Sequence, residues 1–187
     1  MARPRRPRAT ERNPNTQYGR RTNSVKHVGH FEHGVSDVSA LYHSLATSDE
    51  SAGEILRNAG AYRQAAYFFV QAMEKYVRRE IFRRVNAKTD WFREKTITHE
   101  LEDLIDFLIE ILSTDQRVRT QIKKQLYDHV LGGVRFARLH NNLRYPFYSS
   151  RHKNYSRLIV GASDAELAYE KLSRLKKFLD DLHMLRG

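Results

Sequence analysis

The sequence predicts an all-α protein, an antiparallel four- to five-helix bundle in up-and-down order. Helix breakers are scarce after about residue 36, where Pro146 is the only proline. Apolar residues in that region recur at spacings of three and four, the repeat of one helix face. No alternating apolar–polar run is long enough to build a sheet, and no internal repeat is present. At 187 residues and 40% hydrophobic, the chain fills one core and favours one domain with an appendage. The expected division is a flexible basic N-terminal arm over residues 1–35 and a helical bundle over 36–187.

In the arm, Pro4, Pro7 and Pro14 interrupt any helix, while Arg3, Arg5, Arg6, Arg8 and Arg12 repel one another. A first helix is expected from about Val38 to Ala59. Ser51 and Glu54 have capping-box spacing, which would place a break near Ser48–Ser51, and Asn58-Ala59-Gly60 is a stop signal. A second helix spans about Ala61 to Val85, striped by Ala66, Phe69, Val70, Met73, Val77 and Ile81. Ala65, Phe68 and Ala72 widen that stripe, so this helix belongs at the centre of the bundle. After a loop containing Trp91, Thr98 can cap a third helix whose first turn holds Glu100, Glu102 and Asp103. Its stripe is Leu101, Leu104, Ile105, Leu108 and Leu112. A fourth helix begins near Asp115 and runs through Val118, Ile122, Leu126 and Val130. Gly132-Gly133 would kink it or admit a close neighbour before it resumes through His140 to Tyr145, where Pro146 ends it. A polar loop is expected from Phe147 to Ala162. Ser163 and Glu166 then cap a last helix striped by Ala168, Leu172, Leu175, Leu179 and Leu182.

Of the net charge of +11, residues 1–35 supply +6 (eight Lys/Arg against Glu11 and Glu32) and the remainder +5 (25 against 20). Such an excess attracts polyanions, whether RNA, DNA, anionic lipid or acidic protein. The absence of Cys excludes disulfides, Cys-ligated zinc and thiol catalysis, and fits a reducing compartment. No apolar run approaches the roughly 18 residues of a membrane span, and none follows the N-terminal charge as in a secretory signal. A cytoplasmic location without membrane association is therefore expected. His27, His30 and His33 are spaced by three, but Gly29 and Gly34 argue against a shared helix face, so neither a metal site nor a cofactor is expected. Gly132-Gly133 lacks the context of a phosphate loop, and His99-Glu100 is followed by Asp103 where a zinc-protease helix would need His.

Four short stretches, taken in order, resemble the HEPN family (nucleotide-binding helical bundles of higher eukaryotes and prokaryotes). Ala59-Gly60-Ala61-Tyr62-Arg63-Gln64-Ala65-Ala66, followed by Gln71-Ala72-Met73-Glu74-Lys75, resembles the second helix of that family. Thr98-His99-Glu100-Leu101 is similar to the opening of its next long helix, Leu143-Arg144-Tyr145-Pro146 to its exit motif, and Asp164-Ala165-Glu166 to the start of its final helix. The resemblance covers about residues 45–185. It implies a bundle that pairs as a homodimer through its functional face and acts on RNA or nucleotides. Many members are metal-independent endoribonucleases, often toxins or phage-defence proteins, that share an Arg, four to six residues and a His. Their imidazole moves a proton at the ribose 2′-hydroxyl while the guanidinium stabilises charge on the phosphate. Other members lack that motif and bind nucleotides or protein partners such as a nucleotidyltransferase, and toxin members have an antitoxin partner.

Several arrangements could carry this chemistry here. Arg135 and His140 satisfy the family spacing, yet five positions along one helix are about 140° apart, so they face apart unless the helix breaks between them. Arg144 occupies the Arg of the exit motif, and His152 follows after seven intervening residues, with Tyr155 three further on. His140 and Arg144, four apart, share a helix face. The candidate catalytic residues are thus Arg144, His140 and His152. The candidates for binding RNA or nucleotide are Arg135, Arg138, Asn141, Tyr145 and Tyr155, with Glu74 and His99 in support. Each also has a purely structural reading. Arg135, Arg138 and Arg144 form a solvated basic face, His140 and Asn141 hydrogen-bond within the bundle, and His99 donates at a helix start. Arg144 could also pair with Glu74, a charge on an otherwise apolar face. Two function classes stay open, a metal-independent endoribonuclease and a catalytically inactive module binding nucleotide, RNA or protein. A DNA-binding helical protein rests on charge alone.

Overall fold

The computed structural model describes residues 28–29, 33–34, 37–86, 89, 92, 94, 98, 100–136 and 139–184. Most of the arm expected over residues 1–35, including His27 and His30, lies outside the described residues, as do Trp91, His99 and Arg138. The chain divides between Gly34 and Val35, and the unit beginning at Val35 holds every helix that follows.

Asp37 starts α1 (Val38–Asn58), its carboxylate accepting the Ala40 N–H at 2.9 Å. The helix runs unbroken through Ser48–Ser51, so the expected Ser51/Glu54 capping box does not form. Ser51 is an interior position whose neighbours already have helical hydrogen-bond partners. Gly60, at φ +76°, then turns the chain out of the helix.

α2 (Tyr62–Phe82) carries the stripe its sequence predicts, with Ala66, Phe69, Val70, Met73, Val77 and Ile81 all buried and Ala65 and Ala72 buried beside them. A helix apolar on more than one side needs several neighbours. α1, α3, α5 and α6 surround this one. α3 (Leu101–Leu112) turns Leu101, Leu104, Ile105 and Leu108 inward. Just ahead of it, the Thr98 hydroxyl accepts the Glu100 N–H at 3.1 Å and donates to Asp103 at 3.1 Å. The N-cap position falls to Glu100, which precedes the first turn and has no side-chain cap, so Thr98 steadies the approach to the helix without capping it.

The single fourth helix expected from Asp115 to Tyr145 is instead three pieces. α4 (Gln116–Gln125) is capped by Asp115, widens into a π turn over Leu126–Val130, and stops. Gly132 and Gly133 sit at φ +59° and +73°, a left-handed pair that a right-handed helix cannot contain. They therefore end the helix rather than kink it, and Gly132 does admit a close neighbour, since a Cβ built on it would stand 2.8 Å from Lys171 Nζ. Leu126 and Val130 are buried, whereas Val118 is exposed. Helix returns only as α5 (Leu139–Arg144).

The polar loop expected from Phe147 contains a β-hairpin, β1 (Phe147–Ser149) antiparallel to β2 (Asn154–Ser156), with Tyr148 directly opposite Tyr155. Strands of three residues are too short to show an alternating pattern in sequence. α6 (Ala162–Met184) buries Ala168, Leu172, Leu175 and Leu179 as expected. Its start differs from the Ser163/Glu166 box, because helix begins one residue before Ser163. The Gly161 N–H donates to Asp164 at 2.8 Å, and Glu166 pairs with Arg57 of α1 at 3.0 Å.

Candidate functional site

From His129 to Ser163 the sequence contains no Asp or Glu, while Arg135, Arg138, Arg144, Arg151, Lys153 and Arg157 lie within it. That run comprises α5, the hairpin and the strap leading to α6, and it concentrates positive charge without internal neutralisation.

Two devices of α2 and α5 position it. Leu143 buries its side chain in the core, fixing the inner face of α5. Arg63, in the first turn of α2, spreads its guanidinium fork over three carbonyls. Nε donates to Leu143 at 2.8 Å, Nη1 to Leu158 at 2.6 Å and Nη2 to Asn142 at 3.2 Å. Carbonyls at the end of α5 have no helical partner of their own, and a planar five-donor group can serve several at once. One side chain thereby holds both the exit of α5 and the strap beyond the hairpin. The Tyr145 N–H still donates to Asn141 at 2.8 Å, after which Pro146 ends helical bonding and the chain enters β1.

Arg144 is exposed at this exit, its Cζ 4.9 Å from the Tyr145 ring centre and 5.9 Å from that of Tyr67 on α2. Both are cation–π distances. It does not pair with Glu74. The Glu74 carboxylate accepts Arg78 Nε at 3.0 Å one turn along α2, with both side chains buried, and Arg78 also donates to the Thr98 carbonyl. Glu74 lies seven residues beyond Tyr67 on the same helix, a rise of about 10 Å, which puts it away from α5's exit.

The structure brings His140, Asn141, Arg144 and Tyr145 together on α5 and its exit. His140 is half-buried and the other three are exposed. The break at Gly132-Gly133 removes Arg135 from that helix. Arg135 borders instead an apolar pocket of about 210 Å³ lined by Ala66 of α2 and by Leu139, Leu143, Leu158 and Ile159. His152 is exposed in the hairpin turn, and Tyr155 is exposed on β2. His99 and Arg138 lie outside the described residues. Sequence reasoning missed Arg63, Tyr67, Tyr148, Arg151, Lys153 and Arg157. The acid-free run was the available signal for all of these except Arg63 and Tyr67.

A separate polar cluster lies between α1, α2 and α6. Lys176 donates to both Glu50 oxygens at 2.7 Å, and the Tyr76 hydroxyl donates to Glu50 at 2.7 Å. Burial pushes the Tyr76 phenol up, and the adjoining Glu50 carboxylate adds to this against an opposing hydrogen bond from Thr47. For Lys176, burial alone would lower the pKa, but the hydrogen bond to Glu50 and the nearby Tyr76 outweigh it and raise the ammonium above its ordinary value. These groups complete one another and form a structural knot.

Among the described residues no cluster of three His, Asp or Glu side chains could hold a metal ion, and no helix is long and apolar enough to cross a membrane. Exposed guanidiniums beside exposed aromatic rings can bind phosphate and stack bases, and an imidazole one turn from Arg144 can exchange a proton with a group held there. No family model matches the chain, and neither a curated protein nor a solved structure matches it significantly.

Proposed function

We propose that this chain is an RNA-binding domain of HEPN type whose contact surface is α5 together with the hairpin that follows it. The observation that carries the reading is Arg144, exposed at the end of α5 beside two tyrosine rings and opening into a hairpin with no acidic residue around it in sequence. A guanidinium beside aromatic rings still offers N–H donors to a phosphate, and the surrounding cations draw in a polyanion by counterion release. The test is fluorescence anisotropy of a labelled RNA titrated with the full chain at several salt concentrations. Affinity should fall linearly in log–log form with salt, and Arg144→Ala should reduce that slope by about 1. Absence of binding, or a slope untouched by Arg144→Ala, overturns the reading.

A second reading, a metal-independent endoribonuclease, is favoured by the placement of His140 one turn before Arg144 on α5. The imidazole would take the proton of a ribose 2′-hydroxyl as that oxygen attacks the adjacent phosphorus, and the P–O5′ bond breaks. A protonated group or water supplies the proton to the leaving oxygen, leaving a 2′,3′-cyclic phosphate and a 5′-hydroxyl. Arg144 would stabilise the charge on the phosphoryl oxygens. EDTA-resistant cleavage of total RNA, lost in His140→Ala and in Arg144→Ala, would establish it. Binding without cleavage assigns the inactive module. Pairing of two copies through this face belongs to the same proposal, and sedimentation of the pure protein measures it.

A further inference from the structure

We infer that the cross-strand pair Tyr148/Tyr155 is a base-stacking site for unpaired nucleotides, separate from the phosphate contact at Arg144. The inference rests on the RNA-binding reading above and adds to it the kind of nucleic acid that is taken.

The two tyrosines are directly opposed in the hairpin register, and their ring centres are 5.6 Å apart at an interplanar angle of 75°. Alternation along a strand puts them on one face of the hairpin, with Phe147, Ser149, Asn154 and Ser156 on the other. Tyr148 is 59% exposed and Tyr155 71% exposed, well outside the core that the helices build. An edge-to-face contact engages one face of one ring, and both residues remain largely exposed beside it. An aromatic face is a platform for any nucleobase, because every base has a π-face of its own.

The surroundings select the partner. The turn joining the strands carries Arg151, His152 and Lys153, and Arg157 follows β2 directly, with no carboxylate between His129 and Ser163. Arg144 lies four residues before Tyr148, a chain distance of at most about 14 Å. Phe147 and Ile159 are exposed in this segment too, yet all of its charged side chains are cationic, which favours a polyanion over an apolar protein partner. A base inside a duplex has both faces covered by its neighbours and cannot reach a protruding ring. Single strands, loops and bulges can.

The experiment compares a labelled 12-nucleotide single-stranded RNA with the duplex of the same sequence. Full-length wild type, Tyr148→Ala/Tyr155→Ala, Tyr148→Phe/Tyr155→Phe and Arg144→Ala are titrated under identical salt. Wild type should prefer the single strand. The double Ala variant should lose about tenfold or more of its single-strand affinity while duplex binding stays within about twofold. The double Phe variant, which keeps both rings, should bind as wild type, and Arg144→Ala should weaken both forms. Circular dichroism checks that helical content is intact. If the double Ala variant alters it, Tyr155→Ala alone should still lose single-strand affinity selectively. Equal binding of both forms, insensitive to loss of the rings, overturns the stacking site but leaves the RNA reading standing. Capture of phosphatidylserine vesicles without any single-strand preference also overturns the stacking site. No binding of either RNA overturns both.

Discussion

Gly53 of α1 lies so close to Phe69 of α2 that a Cβ built on it would stand 2.5 Å from Phe69 Cε1 and 2.7 Å from Cδ1. The ring has no room to retreat, since Phe69 is fully buried and also meets the Tyr169 ring at 5.2 Å between centres. Alanine would improve helix propensity by about 1 kcal/mol at an ordinary interior position. Here overpacking of about 1–3 kcal/mol opposes it. Gly53→Ala should therefore destabilise the domain by up to about 2 kcal/mol, read as a lower urea midpoint at unchanged slope. A raised midpoint would mean that α1 and α2 are less tightly apposed.

Glu74→Ala should be far more damaging. The substitution takes the Glu74 carboxylate from the buried Arg78 guanidinium, and removing one member of a buried ion pair costs up to about 3–5 kcal/mol. Glu74→Gln, which keeps a hydrogen-bond acceptor, should recover part of the loss. Denaturant melts of the two variants beside wild type decide this.

Stability should decline at alkaline pH from about the ordinary pKa of tyrosine and lysine. Tyr76 and Lys176 are both raised in the folded protein, from 10.0 and 10.5. In the unfolded chain they lose their protons first, so the unfolded state binds fewer protons and stability falls as pH rises. Their contribution is complete below about pH 10 and is lost on titrating through the folded values. Urea midpoints between pH 8 and pH 11 should show the decline, and Tyr76→Phe should make it shallower. An identical decline in that variant would remove Tyr76 from the explanation.

Arg63→Ala removes three charge-assisted hydrogen bonds and should lower stability by about 2–4 kcal/mol. Arg63→Lys should restore little of it, because an ammonium lacks the planar fork that spans these carbonyls. Limited trypsin digestion should cut both variants faster than wild type at Arg151, Lys153 and Arg157.

The long helices were legible in sequence because their burial repeats over many turns. The stripes of α2 and α6 extend over five or six apolar positions each, and no breaker interrupts them. The division of the expected fourth helix was not, since periodicity carries no information on backbone handedness and Gly132-Gly133 fits a kink or a stop equally well. The hairpin was hidden by the brevity of its strands. In the candidate site, the shared helix of His140 and Arg144 followed from their spacing alone. The same one-turn spacing puts Arg78 on the face of Glu74, whereas Arg144 is brought near it by no local periodicity. Arg63 offered no such cue, because its partners are main-chain carbonyls about 80 and 95 residues distant.

That choice of partners has its own consequence for how the surface can change over evolutionary time. Arg63 holds Asn142, Leu143 and Leu158 only by their carbonyls, and so makes no demand on the identity of the side chains at 142 and 158. Substitutions at 142 and in the hairpin leave these bonds in place, whereas Leu158 also packs its side chain against the core. The placement of α5's exit is inherited from α2, while the residues it displays are free to drift toward a new ligand.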